Sequence, residues 1–435
     1  MVGSAKALRD GYRAFGELVN PLVALRAELL EEPYQLAAVV DGDRLRDLDG
    51  REVVDFLAGW GTQAFGHKNR RVARALAAAL EDPVPTFFTS GVSPHAGRLA
   101  AALRERTGYD SVTFMSGGSE AVEAALKMAR ARGRSRVLCL EGAYHGCTYG
   151  SVAMMAPGPF RDPFAPHLPA VEALPFGDAG ALAAALDAGD VAAVVVEPVQ
   201  IEAGVRALDA GYLDALGRLT ERAGALLVAD EIQTGLGRCG GFLASAGWPR
   251  RPDVVVLGKA LGGGLMPLSA MLTRRAIFAE AYGTHERAES HASTWSGNGL
   301  ACVAGLAALE LLDEALLARA RASAQRLAEG LRAAVTGLPL VRAVHAPPGA
   351  LLAGIELHAG DHPWLTFGGL GLDELDGRPA VGWILTHRLM KAGYLAGVCG
   401  HAWNTLRVQP ALTVEDSAID GFCAAVRREL GEMCV

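Results

Sequence analysis

The chain has 435 residues, of which 51% are hydrophobic and 20% are charged, and its formal net charge at pH 7 is −7. This length exceeds one simple core, so we expect two or more domains with ample apolar sequence. The sequence has no long basic tract, which argues against nucleic acid or an anionic membrane as a partner. No apolar run approaches the roughly 20 residues that span a bilayer.

The cysteine pattern indicates reduced thiols. The seven cysteines are scattered and odd in number, and none has the C-x-x-C spacing: Cys139, Cys147, Cys239, Cys302, Cys399, Cys423 and Cys434. Neither a disulfide framework nor a zinc site is therefore expected. Residues 1–10 lack the apolar core of a signal peptide. We expect a soluble, cytoplasmic protein.

The N-terminal part predicts a helix followed by a meander. Apolar residues recur at helix spacing up to Pro33, which ends the run. Residues 36–57 predict three short strands, because Asp41-Gly42 and Asp49-Gly50 are strong turn signals between apolar runs.

From residue 67 onward the pattern alternates between helices and strands. The predicted helices cover residues 70–81, 94–107, 120–132, 179–186, 213–223 and 299–333. The predicted strands cover residues 111–115, 137–140, 191–196, 225–229, 254–257 and 271–272. Several of these strands are continuous apolar runs, which is typical of strands buried on both faces. The alternation predicts an α/β fold with a mostly parallel sheet covered by helices on both sides.

The C-terminal part has a different sequence pattern, which predicts a smaller α+β unit. Its predicted strands cover residues 341–344, 351–357 and 406–408, and its predicted helices cover 381–391 and 415–431. Residues 358–380 are rich in Gly, Asp and Pro and predict a long excursion. We therefore divide the chain into a segment 1–66, a large domain 67–333 and a small domain 334–435.

Lys259 is the first candidate for chemistry. The chain holds only five lysines, Lys6, Lys68, Lys127, Lys259 and Lys391, and only Lys259 directly follows a strand-like apolar run and precedes three glycines. At the carboxyl end of a buried strand, where ligands collect in such sheets, desolvation would lower the pKa of the amine and make it nucleophilic. The alternative is a lysine that ends a strand and points to water, as most lysines do.

Two further groups complete a pattern with Lys259. Residues 116–121 (Ser-Gly-Gly-Ser-Glu-Ala) lie between a strand and a helix and predict a phosphate site, although Ser119 as a plain N-cap is the alternative. Asp230 and Glu231 end a buried strand 29 residues before Lys259. One of these acids can face a cationic ring nitrogen; the alternative is a structural ion pair. An aldehyde-binding lysine, a phosphate loop and such a carboxylate are the requirements of pyridoxal phosphate.

Two other sequence patterns resemble known binding motifs but lack the context that those motifs require. Residues 235–240 match the dinucleotide fingerprint G-x-G-x-x-G, but they open no clear helix and no strand ending in an acid follows at the required distance. An NAD-dependent oxidoreductase is accordingly the weaker hypothesis. His285 and His291 flank Glu286 outside the H-E-x-x-H register, so no metal is expected.

Several segments resemble the class III aminotransferases, a branch of the fold-type I pyridoxal phosphate enzymes. The resemblance runs from about residue 36 to 416. Its segments are Asp47-Leu48-Asp49-Gly50-Arg51-Glu52, Gly66-His67, Ser116 to Ala121, Tyr144-His145-Gly146, Glu197-Pro198-Val199-Gln200, Asp230-Glu231-Ile232-Gln233-Thr234-Gly235, Gly258 to Gly264, Thr294 to Asn298 and Leu406-Arg407. It implies a large domain with a seven-stranded sheet and a small α+β domain built from both termini.

The resemblance implies a role for each matched residue. Lys259 would bind the cofactor covalently and act as general acid and base, and Asp230 would keep the pyridine nitrogen protonated. The other implied cofactor contacts are Gly118 and Ser119 at the phosphate, Tyr144 on the ring face, Gln233 at the ring's 3′ oxygen, and His145 and Glu197. Thr294 would reach the phosphate bound by the other subunit, which implies a homodimer with shared sites.

For the substrate, the resemblance implies that Arg407 pairs with a carboxylate. Glu202, or Glu197, would neutralise Arg407 when an amine without an α-carboxylate binds. Trp60 would line the substrate entrance; a core tryptophan is the alternative. The chain departs from the family pattern at Ile201 and Ala203, where many members carry glycine, and this departure leaves the substrate open.

These observations predict a pyridoxal-phosphate-dependent aminotransferase. It would move an amino group from an ω-amino acid, an ornithine-like amino acid or a diamine to an oxo acid such as 2-oxoglutarate or pyruvate by a ping-pong mechanism. A racemase, aminomutase or decarboxylase of the same fold is the alternative, because these enzymes share the lysine, the phosphate loop and the acid. A non-catalytic binding module is a further alternative, against which the complete set of groups argues.

Overall fold

The computed structural model describes residues 4–24, 35–88, 91–158, 160–167, 169–358, 365–366 and 379–434. The predicted helix end at Pro33 and most of the 358–380 excursion lie outside the described residues. The described helices are Ala5–Ala14, Arg70–Glu81, Pro94–Thr107, Gly118–Arg130, Tyr149–Val152, Ala179–Leu186, Ala210–Ala223, Arg275–Tyr282, Gly299–Leu311, Glu314–Val335, Val381–Lys391 and Asp416–Met433. Shorter helical turns cover Phe15–Val19, Gly59–Gly61, Asp162–His167, Ala244–Gly247 and Lys259–Gly262.

The described strands are numbered in chain order. They are β1 (Leu36–Asp41), β2 (Arg44–Asp47), β3 (Glu52–Asp55), β4 (Ser111–Met115), β5 (Arg136–Leu140), β6 (Val171–Leu174), β7 (Val191–Val196), β8 (Val199–Gln200), β9 (Arg206–Ala207), β10 (Leu226–Asp230), β11 (Val254–Leu257), β12 (Ser269–Thr273), β13 (Val341–His345), β14 (Ala353–Leu357), β15 (Tyr394–Leu395), β16 (Gly397–Val398) and β17 (Thr405–Val408).

Residues 69–318 form one unit around a seven-stranded sheet with the order β4-β12-β11-β10-β7-β5-β6. Only β12 runs antiparallel to its neighbours, and the other adjacent pairs are parallel. Together with the flanking helices, this sheet confirms the predicted α/β class. All six residues of β7 are buried, as its continuous apolar sequence indicates.

Alternate residues of the sheet serve two separate cores. Val195 and Val228 pack into a cluster with the helix Gly118–Arg130 on one face. Val194 and Leu227 pack into a second cluster with the helix Ala210–Ala223 on the other face. Since side chains alternate along a strand, the central strands β7 and β10 contribute to both cores and their buried residues are apolar on both faces.

The order of the central strands brings candidate groups to one edge of the sheet. β10 and β11 are parallel neighbours, and Asp230 at the end of β10 pairs in register with Val256. Lys259 follows β11 by two residues. The spacing of Asp230 and Lys259 predicted such neighbouring strands, and both groups lie at the carboxyl edge.

Residues 1–68 and 319–435 form the second unit. It contains one sheet with the order β1-β2-β3-β15, which includes the predicted meander, and another with the order β13-β14-β17-β16. Phe56 stacks on Phe422 with ring centroids 4.1 Å apart, so residues from both ends of the chain share this core. Whether the limits 1–66, 67–333 and 334–435 delimit independently folding domains stays a prediction.

None of the described helices is both long enough and apolar enough to cross a membrane. Within the same residues, no group of three or more His, Cys, Asp or Glu side chains is arranged to hold a metal ion.

Candidate active site

A cavity of about 200 Å³ lies at the carboxyl edge of the large sheet, within the unit 69–318. It brings together nine of the residues singled out in the sequence: Gly118, Ser119, Tyr144, His145, Glu197, Glu202, Asp230, Gln233 and Lys259. Gly146, Ile201 and Ile232 complete its lining. Thr294 is exposed and is not among the lining residues.

One end of the cavity is the start of the helix Gly118–Arg130. Its N-cap is Gly117, so Ser119 is not the cap. The Glu120 carboxylate instead accepts hydrogen bonds from the backbone N–H of Ser116 and Gly117, at 3.0 and 2.7 Å. The Ser119 hydroxyl is therefore not used to cap the helix. The helix dipole favours an anion at this end.

Close packing explains why glycines line this end. A Cβ atom at Gly118 would lie 2.9 Å from Ile232 Cδ1, and one at Gly146 would lie 1.9 Å from Ser119 Oγ. Gly146 also has a φ of +113°, which side chains rarely adopt. Because Gly118 and Gly146 have no side chain, a ligand can lie directly against their backbone.

Asp230 is held by a histidine that is distant in sequence. His145 Nδ1 and Asp230 Oδ2 lie 2.7 Å apart, and both side chains are buried. Burial opposes the imidazolium form, but the hydrogen bond and the charge of Asp230 outweigh it and raise the pKa of His145. His145 Nε2 is buried and has no hydrogen-bond partner within the described part of the chain. The pair holds the Asp230 carboxylate in one orientation.

Glu197 positions the neighbouring Tyr144. Its Oε1 accepts a hydrogen bond from the Tyr144 backbone N–H at 2.9 Å. Burial is the largest influence and, against the lowering effect of the His145 charge, raises the pKa of Glu197 to about 8. Near neutral pH this carboxyl can consequently hold a proton inside the cavity.

Lys259 lies in a strained backbone conformation. Its φ is +44°, a value that is uncommon for any residue other than glycine. The helical turn Lys259–Gly262 follows β11 directly, and the side chain lines the cavity with Asp230 and Glu197. Such strain persists where surrounding structure imposes it, and it is frequent at functional sites. The alternative of a lysine that only ends a strand does not account for this position.

The structure places Trp60 and Arg407 in the other unit, where they contact each other. Arg407 Cζ lies 5.0 Å from the centroid of the Trp60 ring. Arg407 has no exposed surface, whereas Trp60 is 48% exposed. Trp60 is therefore not a simple core tryptophan.

Several partners in the structure have no signal in the sequence. They are His145 beside Asp230, the loop that binds Glu231, and Gln409 beside Arg407. Glu231 is not in an ion pair among the described residues; it accepts hydrogen bonds from Ala244 and Ser245. Residues 235–240, which match the dinucleotide fingerprint, form a loop of consecutive turns and do not open a helix.

The architecture is similar to that of solved transaminases. Ornithine aminotransferase from Toxoplasma gondii has 28% sequence identity and a TM-score of 0.82, over 98% of this chain and 97% of that one. An amine transaminase from an uncultivated Pseudomonas species, in its PLP-bound form, has 28% identity and a TM-score of 0.79, over 91% and 94%. Acetylornithine aminotransferase from Elizabethkingia anophelis has 26% identity and a TM-score of 0.74, over 91% and 93%.

The family model described as aminotransferase class-III matches residues 32–430, which is most of the chain. Members of this family use pyridoxal phosphate to transfer amino groups. The chain therefore belongs to the class III aminotransferases and is a pyridoxal-phosphate-dependent transaminase.

Proposed function

We propose that this transaminase takes its amino group from an ω-amino acid, an ornithine-like amino acid or a diamine, and passes it to 2-oxoglutarate or pyruvate in a ping-pong reaction. The observation that carries the proposal is the strained Lys259 in one cavity with Asp230 and Glu202. The donor classes are supported by the names of the similar structures, which are ornithine, acetylornithine and amine transaminases.

The donor set of the cavity fits pyridoxal phosphate. The glycine-lined helix start with Ser119 suits the phosphate, the Asp230 carboxylate suits a cationic ring nitrogen, and Lys259 supplies an amine. The buried Nε2 of His145 supports this assignment, because a polar atom without a described partner there is satisfied by a ligand or water. Tyr144 and Gln233 complete the proposed contacts.

When bound, the cofactor supplies an aldehyde that takes up the amino group and a ring that withdraws electrons. The residues of this chain do the rest. The Nδ1–H of His145 donates a hydrogen bond to Asp230 Oδ2 and would hold the carboxylate ready for the ring nitrogen. Glu197 holds the backbone of Tyr144, and the Tyr144 ring would lie on one face of the bound cofactor ring. The Lys259 amine would accept and return a proton at the reacting carbon atoms, as general base and general acid.

The roles of the remaining candidates are also proposals. Arg407 receives the carboxylate of the oxo acid, which a guanidinium binds in a bidentate manner. Trp60 stacks on that guanidinium, and Glu202 is an acid of the cavity near the substrate amine. These assignments are supported by the burial of Arg407 and the contact of its guanidinium with Trp60.

We further propose a homodimer in which Thr294 reaches the phosphate bound by the partner. An exposed apolar group supports such an interface: Phe87 and Trp295 contact edge to face at 5.8 Å and are 46% and 61% exposed. A molecular mass in solution of about twice the chain mass of 45.4 kDa is expected. A cytoplasmic location is supported by the seven free cysteines.

The test is a panel of amines, including ornithine, N-acetylornithine, putrescine and β-alanine, offered with 2-oxoglutarate or pyruvate. We expect glutamate or alanine to form in stoichiometric amounts. Lys259→Ala should lose both turnover and the visible absorbance of the bound cofactor, whereas Lys127→Ala, on the helix Gly118–Arg130, should keep both. A racemase, aminomutase or decarboxylase would consume the donor without forming a new amino acid from the oxo acid.

A further inference from the structure

The hairpin formed by β8 and β9 contributes two neighbouring residues to the lining of the cavity. Gln200 of β8 pairs with Arg206 of β9, and the turn between them carries Ile201 and Glu202, which both line the cavity. The Ile201 carbonyl accepts a hydrogen bond from the backbone N–H of Gly204 at 3.1 Å and so closes the turn. The hairpin therefore presents a branched hydrocarbon and an acid side by side.

The turn has a backbone conformation that its own residues disfavour. Gly204 has a φ of +101° and Val205 has a φ of +63°. A β-branched residue at positive φ is costly and persists only where the surrounding structure imposes it. Val205 is only 1% exposed. Burial of the valine therefore fixes a turn that local preferences oppose.

Arg206 ties this hairpin to a second loop of the cavity. One terminal nitrogen of Arg206 donates to Gln200 Oε1 at 2.6 Å and to the carbonyl of Glu141 at 2.7 Å. Glu141 begins the loop that leads to Tyr144. A Cβ atom at Gly142, the next residue of this loop, would lie 2.8 Å from Cβ of Ala203 in the turn. The two loops are thus hydrogen-bonded and closely packed, and the position of the turn is set by both.

Ile201 is the apolar lining residue that the cofactor does not account for. Ile232 lies against two glycines of the cofactor end, because Cβ atoms at Gly118 and Gly258 would lie 2.9 and 3.3 Å from its side chain. The other lining residues are assigned to the cofactor or hold a residue that contacts it, except Glu202. Ile201 is 1% exposed. The part of the cavity left for the substrate is therefore bordered by Ile201 and Glu202.

Hydrocarbon and polar parts of a donor differ in how they interact with an isoleucine side chain. Each methylene that leaves water against an apolar surface strengthens binding about fourfold. A hydroxyl or a charge at the same place loses its hydration and receives no hydrogen bond from isoleucine. Because the turn is closely packed, Ile201 cannot move aside to admit water beside such a group.

We propose that Ile201 determines specificity for donors whose chain is unsubstituted hydrocarbon beyond the reacting carbon, namely alkylamines and alkane diamines. The Glu202 carboxylate beside it is complementary to the second ammonium group of a diamine. This inference deepens the proposed function and rests on it, because it assigns Ile201 to the donor of the same transaminase reaction.

The test compares two variants of the holoenzyme that have the same shape, Ile201→Val and Ile201→Thr. The probes are two isosteric pairs of amines, butylamine with 3-aminopropanol and propylamine with 2-aminoethanol. Each amine is mixed with the holoenzyme without an oxo acid, and the loss of the visible absorbance gives an apparent second-order rate constant. The ratio of the rate constants within a pair measures the preference for a methyl over a hydroxyl group.

We expect wild type to prefer the alkylamine at least about tenfold in one or both pairs, because an apolar site discriminates between isosteric methyl and hydroxyl groups by one to two orders of magnitude. Ile201→Val should keep this ratio within threefold of wild type. Ile201→Thr should reduce it to threefold or less, because the new hydroxyl can bond to that of the substrate.

Val199→Thr is the matched control, since it places the same hydroxyl in β8, outside the residues that line the cavity. Its ratio should equal that of wild type. A merely structural role of Ile201 would change the rates with both amines of a pair alike and would leave their ratio unchanged. Retention of the visible absorbance shows whether each variant is folded and loaded.

The outcomes separate the two proposals. Equal ratios for Ile201→Thr and Ile201→Val overturn the inference, and so does a wild type that transaminates putrescine but reacts with neither alkylamine. If Ile201→Thr does not fold, Ile201→Ala replaces it, and a ratio for Ile201→Ala equal to that of wild type overturns the inference. If no amine in either set removes the visible absorbance of wild type, the proposed function is itself wrong and the inference falls with it.

Discussion

Glu231 offers a direct test of how the loop behind the active site is held. The side chain is fully buried at the end of β10, next to Asp230. Its Oε2 accepts from the backbone N–H of Ala244 at 2.7 Å, and its Oε1 accepts from the backbone N–H and the hydroxyl of Ser245 at 2.8 and 2.5 Å. We expect Glu231→Ala to destabilise the unit 69–318, since these donors then lose their acceptor.

The size of the effect follows from the donors left behind. Ser245 is buried and Ala244 is partly buried. An unsatisfied buried donor costs about 1–3 kcal/mol, so the Ser245 N–H contributes about 1–3 kcal/mol and the more exposed Ala244 N–H about 1 kcal/mol, which together give about 2–4 kcal/mol. At roughly 2–4 °C per kcal/mol for a unit of this size, the Tm should fall by roughly 5–15 °C. Glu231→Gln retains a carbonyl oxygen and should lose about half as much.

Thermal unfolding of both variants, followed by circular dichroism in the presence of excess cofactor, measures the effect. Glu221→Ala serves as the control, because Glu221 is exposed on the helix Ala210–Ala223 and should shift the Tm by no more than about 2 °C. A Tm for Glu231→Ala that lies as close to wild type as that of the control would refute the reasoning.

Two other predictions concern the cavity. Burial raises the pKa of Glu197 from 4.5 to about 8. Between these two pKa values, Glu197 is protonated in the folded apoprotein and ionised in the unfolded chain. Raising the pH therefore lowers the free energy of unfolding by about 1.4 kcal/mol per pH unit. The Tm of Glu197→Gln apoprotein relative to wild type should rise from pH 5 to pH 8, and a constant difference would contradict this. Gly146→Ala would place a Cβ atom 1.9 Å from Ser119 Oγ. On dilution, the cofactor should dissociate from this variant at least tenfold faster than from the control Gly97→Ala, whose added Cβ has no atom within 4 Å.

The apolar patterns of the chain predicted six of the seven strands of the large sheet. Val191–Val196 and Val254–Leu257 were recognised as buried strands because every residue in them is apolar. Shorter elements without such patterns were missed. β6 has only one fully buried residue, Leu174, because it lies at the sheet edge. The helix Arg275–Tyr282 was also missed, although Ile277, Ala281 and Tyr282 are buried at helix spacing.

The sequence also determined which residues are candidates for catalysis. Lys259 and the loop 116–121 follow strands, and Asp230 ends a strand, and the apolar residues of each strand make it recognisable in the sequence. The partners of these groups were decided by the tertiary structure. His145 meets Asp230 across 85 positions of sequence, and Trp60 reaches Arg407 through a left-handed turn that local preferences disfavour. Local patterns report how each segment meets water and its nearest neighbours, whereas the orientation and pKa of a buried charge depend on groups that only the folded chain brings within hydrogen-bond distance.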